Sequence, residues 1–257
     1  MKKLLCILGI LVLSLPLLVS CESSPGPSIT RQYDLTDFTN VNVSSAFEVK
    51  ITPSDTYSVS VTAPQDWFDD INVDRSGNVL EVGLDWGWGF WRNLGSNRPS
   101  VKITMPELYV LEMSGATHGN VTGFQSTHDF KVSLSGASIL DLSIEAYDTS
   151  LTVSGASQIS GPLKAHDIRL NVSGASTAKL TGTGNNLNLQ VSGASHATLD
   201  DLNVKDARAE VSGASRAVVS PAGNLDIYVS GASTLEYTGN PVIGTLDVTG
   251  GSSVKHQ

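Results

Sequence analysis

Aromatic side chains are scarce in this chain, at 6% of 257 residues, and charged ones make up only 16%. That poverty excludes a coiled coil or long helical bundle, which would be rich in Glu, Lys, Leu and Ala at a 3.5-residue spacing. Cysteine is nearly missing: Cys6 and Cys21 are the only two, so there is no disulfide framework to staple a small fold. Positive charge is in deficit as well, with a formal charge of -9 and a pI near 4.9, which repels phosphate and excludes a nucleic-acid partner. What is present is 40% hydrophobic residues, enough for a core and too many for a disordered chain, together with 24 glycines and 34 serines. The composition describes a β-rich chain of small residues.

The single long apolar run is at the start. Lys2 and Lys3 precede Leu4 to Val19, interrupted by Gly9, Ser14 and Pro16. A basic n-region followed by a short h-region is a signal peptide, too short to span a bilayer comfortably. The run closes on Leu18-Val19-Ser20-Cys21, which resembles a bacterial lipobox, with cleavage before Cys21 and acylation of its thiol. Cleavage removes two lysines and no acid, taking the formal charge from -9 to -11. More than one acyl chain on Cys21 gives stable anchoring, whereas one alone is marginal. The expected organisation is a signal peptide over 1–20, a flexible Ser- and Pro-containing tether over 21–33, and one domain over 34–257.

That domain is a repeat array. Ser-Gly-Ala-Ser begins at Ser135, Ser154, Ser173, Ser192, Ser212 and Ser230, with variants at Ser114 and Thr249. Successive starts are 21, 19, 19, 19, 20, 18 and 19 residues apart. Three residues before each start stand Leu111, Val132, Leu151, Leu170, Leu189, Ala209, Ile227 and Leu246, and one before stand Met113, Leu134 and then Val in every later copy. Polar residues such as Glu112, Thr152 and Asn171 lie between. Apolar positions return five residues after the start, at Leu140, Ile159, Ala178, Ala197, Ala217 and Leu235. Alternation of period two on both sides of a glycine marks strand, corner, strand. Gly115, Gly136, Gly155, Gly174, Gly193, Gly213 and Gly231 are the predicted structural corners, because glycine takes positive φ without steric cost.

One such unit cannot fold alone. Five or six small apolar side chains return roughly 1.5–3 kcal/mol each, against roughly 1–2 kcal/mol of backbone entropy for every residue ordered. Coils stacked about 4.8 Å apart share hydrogen bonds and core. The fold class is therefore all-β, a single-stranded parallel β-helix of about 19–20 residues per coil, regular over 108–257 and irregular over 34–107. Val41, Val43, Ser44, Ser45, Ala46, Val49 and Ile51 fit the same template without the corner glycine, which predicts a degenerate terminal coil. Asp74 to Asn78 predicts a turn between two short strands, and Trp67 and Phe68 are expected in a cap.

No catalytic residue, metal site or cofactor is expected. Each corner serine recurs without its own His and acid, and His118 and His196 share a column four coils apart, about 19 Å at the strand spacing. His128 and His166 share another column two coils apart. Lys131, Arg169 and Arg208 share an outward column, also at two-coil steps, and form no cluster. A ladder of Asp129, Asp148, Asp167, Asn186, Asp206 and Asn224 stands six residues before the corners. Asx turns at the strand starts explain it, and cation binding between stacked carboxylates is the functional alternative. Trp86, Trp88, Phe90 and Trp91, interleaved with glycine, are the candidate ligand-binding residues, either as an exposed platform or as a plug over the first coils.

The lipobox, the entry Phe38-Thr39-Asn40-Val41-Asn42-Val43, the stretch Val101 to Leu108 and the Ser-Gly-Ala-Ser series together resemble the DUF2807 family, the head GIN domain of auto-transporter adhesins. The resemblance covers about residues 36–256 and implies a right-handed β-helix of pectin-lyase shape in an envelope lipoprotein, with no catalytic residues to carry over. With no membrane barrel following Gln257, Cys21 is the expected anchor, at the bacterial cell envelope and its outer membrane. The expected role is a non-enzymatic adhesin that binds a glycan or an envelope or host protein. A polysaccharide lyase or hydrolase is the alternative by fold analogy. A structural protein that forms homo-oligomers through open helix ends is the other.

Overall fold

The computed structural model describes residues 26–85 and 98–257. Cys21 and the candidate residues Trp86, Trp88, Phe90 and Trp91 lie outside the described residues. The chain forms a β-solenoid of about eight turns. Each regular rung has one strand before the corner and one after it, for example Asp148–Val153 and Gln158–Lys164. Both pair in parallel with the rungs on either side.

The columns read from the sequence are the register of the sheet. Val132, Leu151, Leu170, Leu189, Ala209 and Ile227 are consecutive cross-strand partners, all at 0% exposure. Leu140, Ile159, Ala178, Ala197, Ala217 and Leu235 do the same on the other strand. These rows form one continuous core from Phe38 to Leu235.

The corner explains its own tetrapeptide. Gly136 has φ +72°, and a Cβ there would lie 2.5 Å from the Gly115 carbonyl oxygen of the rung before. That carbonyl accepts from Ala137 N–H at 2.6 Å, and the contact repeats rung by rung. The alanine is exposed, whereas the last serine is buried. Ser157 Oγ accepts from Ser138 N–H at 3.3 Å, and Ser176 Oγ from Ser157 N–H at 3.3 Å, so hydroxyls fill the inside of the bend and bond its backbone. Small residues are required there by packing and by hydrogen bonding together.

The N-terminal end departs from the expected order. The rung made by Asn40–Val43 and Glu48–Pro53 is not terminal in space. It lies between Val110–Met113 with His118–Gln125 on one side and Val79–Leu84 with Ser100–Met105 on the other. Ser45 takes the corner glycine's place at φ +79°, and its carbonyl accepts from Ala116 N–H at 2.6 Å. Beyond the outermost rung the pairing turns antiparallel: Ser58–Pro64 joins Ser100–Met105, and Ser28–Tyr33 joins Ser58–Pro64. The tether expected over 21–33 is thus strand from Ser28, because Ile29 and Tyr33 pack on the core and Arg31 covers the Phe68 ring at 4.2 Å. The expected turn joins the antiparallel strands Ile71–Ser76 and Val79–Leu84. Trp67 and Phe68 are buried in a 3-10 turn at this end. At the other end Val242–Val248 leaves Val242 67% and Leu246 58% exposed.

Candidate functional site

Away from the corners, each rung bends a second time, where the strand ending at Glu145 gives way to the one starting at Asp148. In two rungs the chain passes this bend without a break, as Thr177–Val191 and His196–Val211. The bend is re-entrant, and stacking it leaves a groove of about 1270 Å³ running along the solenoid from Tyr109 to Gly244.

Two rails of outward side chains follow the groove. The first is the aspartate ladder, and its bonding differs from the Asx turns expected. Each carboxylate accepts from the next rung: Asp148 Oδ1 from Asp167 N–H at 3.1 Å, Asp167 Oδ1 from the Asn186 amide at 2.8 Å, and Asp206 Oδ1 from Asn224 N–H at 2.7 Å and its amide at 2.8 Å. The bonds from the Asn224 backbone and side chain, helped by Lys205, hold the Asp206 carboxyl below the usual carboxylate range. The ladder couples coils, since a parallel register sets each aspartate beside the N–H one rung away.

The second rail is Lys131, Ser150, Arg169, Asn188, Arg208 and Asp226, in register. Arg208 is engaged by Glu210 at 2.6 Å and lies over the Tyr228 ring at 4.0 Å, and the Glu210 bond pushes its guanidinium pKa up. Lys131 and Arg169 have no ion-pair partner among the described residues. These cations recur two coils apart, as the sequence columns required.

At and beside the groove stand rings whose pairing the sequence columns did not show. Tyr109 meets His128 with centroids 5.1 Å apart, and Tyr147 stacks on His166 at 5.3 Å with planes 6° apart. His166 Nδ1 lies 3.3 Å from Asp148 Oδ1 and 3.4 Å from Asp167 Oδ1. Ligand atoms of these three residues fall within 4.8 Å of one another, the one such group among the described residues. Treating His128 and His166 as a separated pair missed it, because Tyr147 fills the rung between them and the aspartates are neighbours in sequence. The signal was available: His128, Tyr147 and His166 each stand seven residues before a corner serine.

A family model described as "Putative auto-transporter adhesin, head GIN domain" (DUF2807) matches residues 37–241. The chain belongs to this family. Solved structures share its fold. A protein of Parabacteroides distasonis described as a putative lipid binding protein superposes with a TM-score of 0.83 at 18% identity, over 90% of this chain and 97% of that one. A putative adhesin of Parabacteroides merdae gives 0.82 at 18%, over 90% and 97%. A second Parabacteroides distasonis protein, also a putative adhesin, gives 0.80 at 19%, over 91% and 98%. No curated protein matches the chain.

Proposed function

We propose that this member of the adhesin head family is a non-enzymatic binding module of a bacterial envelope, tethered by a lipid on Cys21, with the groove as its binding face. The groove itself carries the reading: a continuous channel with oriented carboxylates on one rail and, on the other, Lys131 and Arg169 without ion-pair partners among the described residues. The adhesin description of the family and of two fold relatives supports it. Regular rails suit holding an extended ligand at many points. A polysaccharide lyase or hydrolase is the second reading: it needs acids and bases gathered at one place, and Asp148, His166 and Asp167 are so gathered, whereas the cations Lys131, Arg169 and Arg208 stand two coils apart. Trp86, Trp88 and Trp91 remain a second candidate contact, tested by joint alanine replacement.

Filling the groove tests the proposal. Ser150→Trp with Asn188→Trp places two indoles in the channel, and Lys179→Trp with Thr198→Trp places them on the other outward face. Binding of the full chain to arrayed envelope and host glycans and proteins should fall at least tenfold for the first pair only, with no new reducing ends released from any polysaccharide. Equal binding by both pairs removes the groove from the account. Replacing Cys21 by serine should move the protein from the membrane fraction to the soluble one, and retention on the membrane rejects the anchor.

A further inference from the structure

We infer that the rungs between Tyr109 and Arg169 form a saccharide subsite, for a linear glycan that carries no negative charge. This rests on the groove being the binding face and names what that face takes. Four rings stand on successive rungs at this edge of the groove: Tyr109 and His128 line it, and Tyr147 and His166 directly precede its lining residues Asp148 and Asp167. Tyr147 is 54% exposed, although it is a large side chain in a chain poor in aromatics. Its plane is fixed by stacking on His166, so the ring is presented without the entropic cost of ordering it on binding. A flat apolar face with a polar edge is the surface that packs against the C–H face of a pyranose.

The carboxylates beside the rings are held just as firmly. Asp129, Asp148 and Asp167 each use Oδ1 to accept from the following rung, at 3.4, 3.1 and 2.8 Å. In each, Oδ2 is unclaimed among the described residues. Three oriented acceptors, one per rung at about 4.8 Å, meet a chain of hydroxyl-bearing units of comparable length. Lys131 and Arg169, two residues along from Asp129 and Asp167 on the same outward side, supply donors to ring and hydroxyl oxygens. The three carboxylates outnumber these two cations, so an acidic polymer is repelled while a neutral or amino-bearing one is not. A peptide would need free main-chain groups for strand addition, and the groove floor has its backbone paired on both sides from rung to rung. His166 Nδ1 lies within 3.4 Å of an oxygen of both Asp148 and Asp167, and the EDTA arm of the test below separates saccharide binding from a metal ion held by these three residues.

Calorimetric titration of the full chain with cellohexaose, chitohexaose, its deacetylated form and hexagalacturonate separates the possibilities. Binding of at least one of the first three is expected, with hexagalacturonate silent. Tyr147→Ala and Asp148→Asn should each weaken that binding at least tenfold, Tyr147→Phe should not, and all three should keep the wild-type melting temperature. Silence with all three uncharged or amino-bearing hexamers, preference for hexagalacturonate, unchanged binding by Tyr147→Ala, or loss of binding on adding EDTA overturns the inference. If the groove-filled variant still loses binding on the array, the failure is confined to this subsite and the groove stands as the binding face.

Discussion

At the scale of single residues, the corner decides. Gly155 has φ +77°, and a Cβ there would lie 2.4 Å from the Gly136 carbonyl oxygen, a backbone atom that cannot move aside. Gly155→Ala should therefore cost roughly 3 kcal/mol or more, from left-handed strain and the clash together. Ser45 bears the same strain in the wild type, at φ +79°. Ser45→Gly should relieve about 1 kcal/mol, raising the melting temperature by roughly 2–4 °C in a domain of this size. Thermal unfolding of both variants checks the pair, and an unaltered Gly155→Ala would show that the corners are looser than drawn. These glycines were legible because only glycine meets the conformation without strain. The buried serine of each corner was not, since its role depends on an N–H one coil away.

At the scale of elements, period-two alternation carried the strands and their register, because the buried rows Val132 to Ile227 and Leu140 to Leu235 are set by the same spacing as the corners. The order of rungs at the N-terminal end was hidden. Nothing local tells Val41 to choose both Leu80 and Leu111 as partners, and the antiparallel strand Ser28–Tyr33 is fixed by contacts far along the chain. The aspartate ladder was legible as a column but not as a set of bonds between coils. Its bonding has a pH signature. The folded Asp206 carboxyl titrates below its ordinary value, so its contribution is complete above the unfolded carboxylate pKa of about 4 and disappears as pH falls through the folded value. The destabilisation caused by Asp206→Ala should be largest near neutral pH and shrink below about pH 4. A destabilisation that stays constant down to pH 3 would mean the bonds from Asn224 do not favour the charged form.

At the scale of the molecule, the solenoid turns a short repeat into a long surface. Its ends differ: antiparallel strands and the buried Trp67 and Phe68 close the N-terminal one, while Val242–Val248 is exposed at the other. The groove arises only when bends are stacked, which is why the sequence pointed to tryptophans outside the described residues and not to Tyr147, His166 and the aspartates beside them. Hydroxyl-radical footprinting of the full chain tests the central claim most directly, with and without a polymer that binds on the array. Tyr147, His128 and His166 should lose labelling at saturation while His118 and His196, outside the groove, keep theirs. Protection of His118 and His196 with Tyr147 still fully labelled would contradict it.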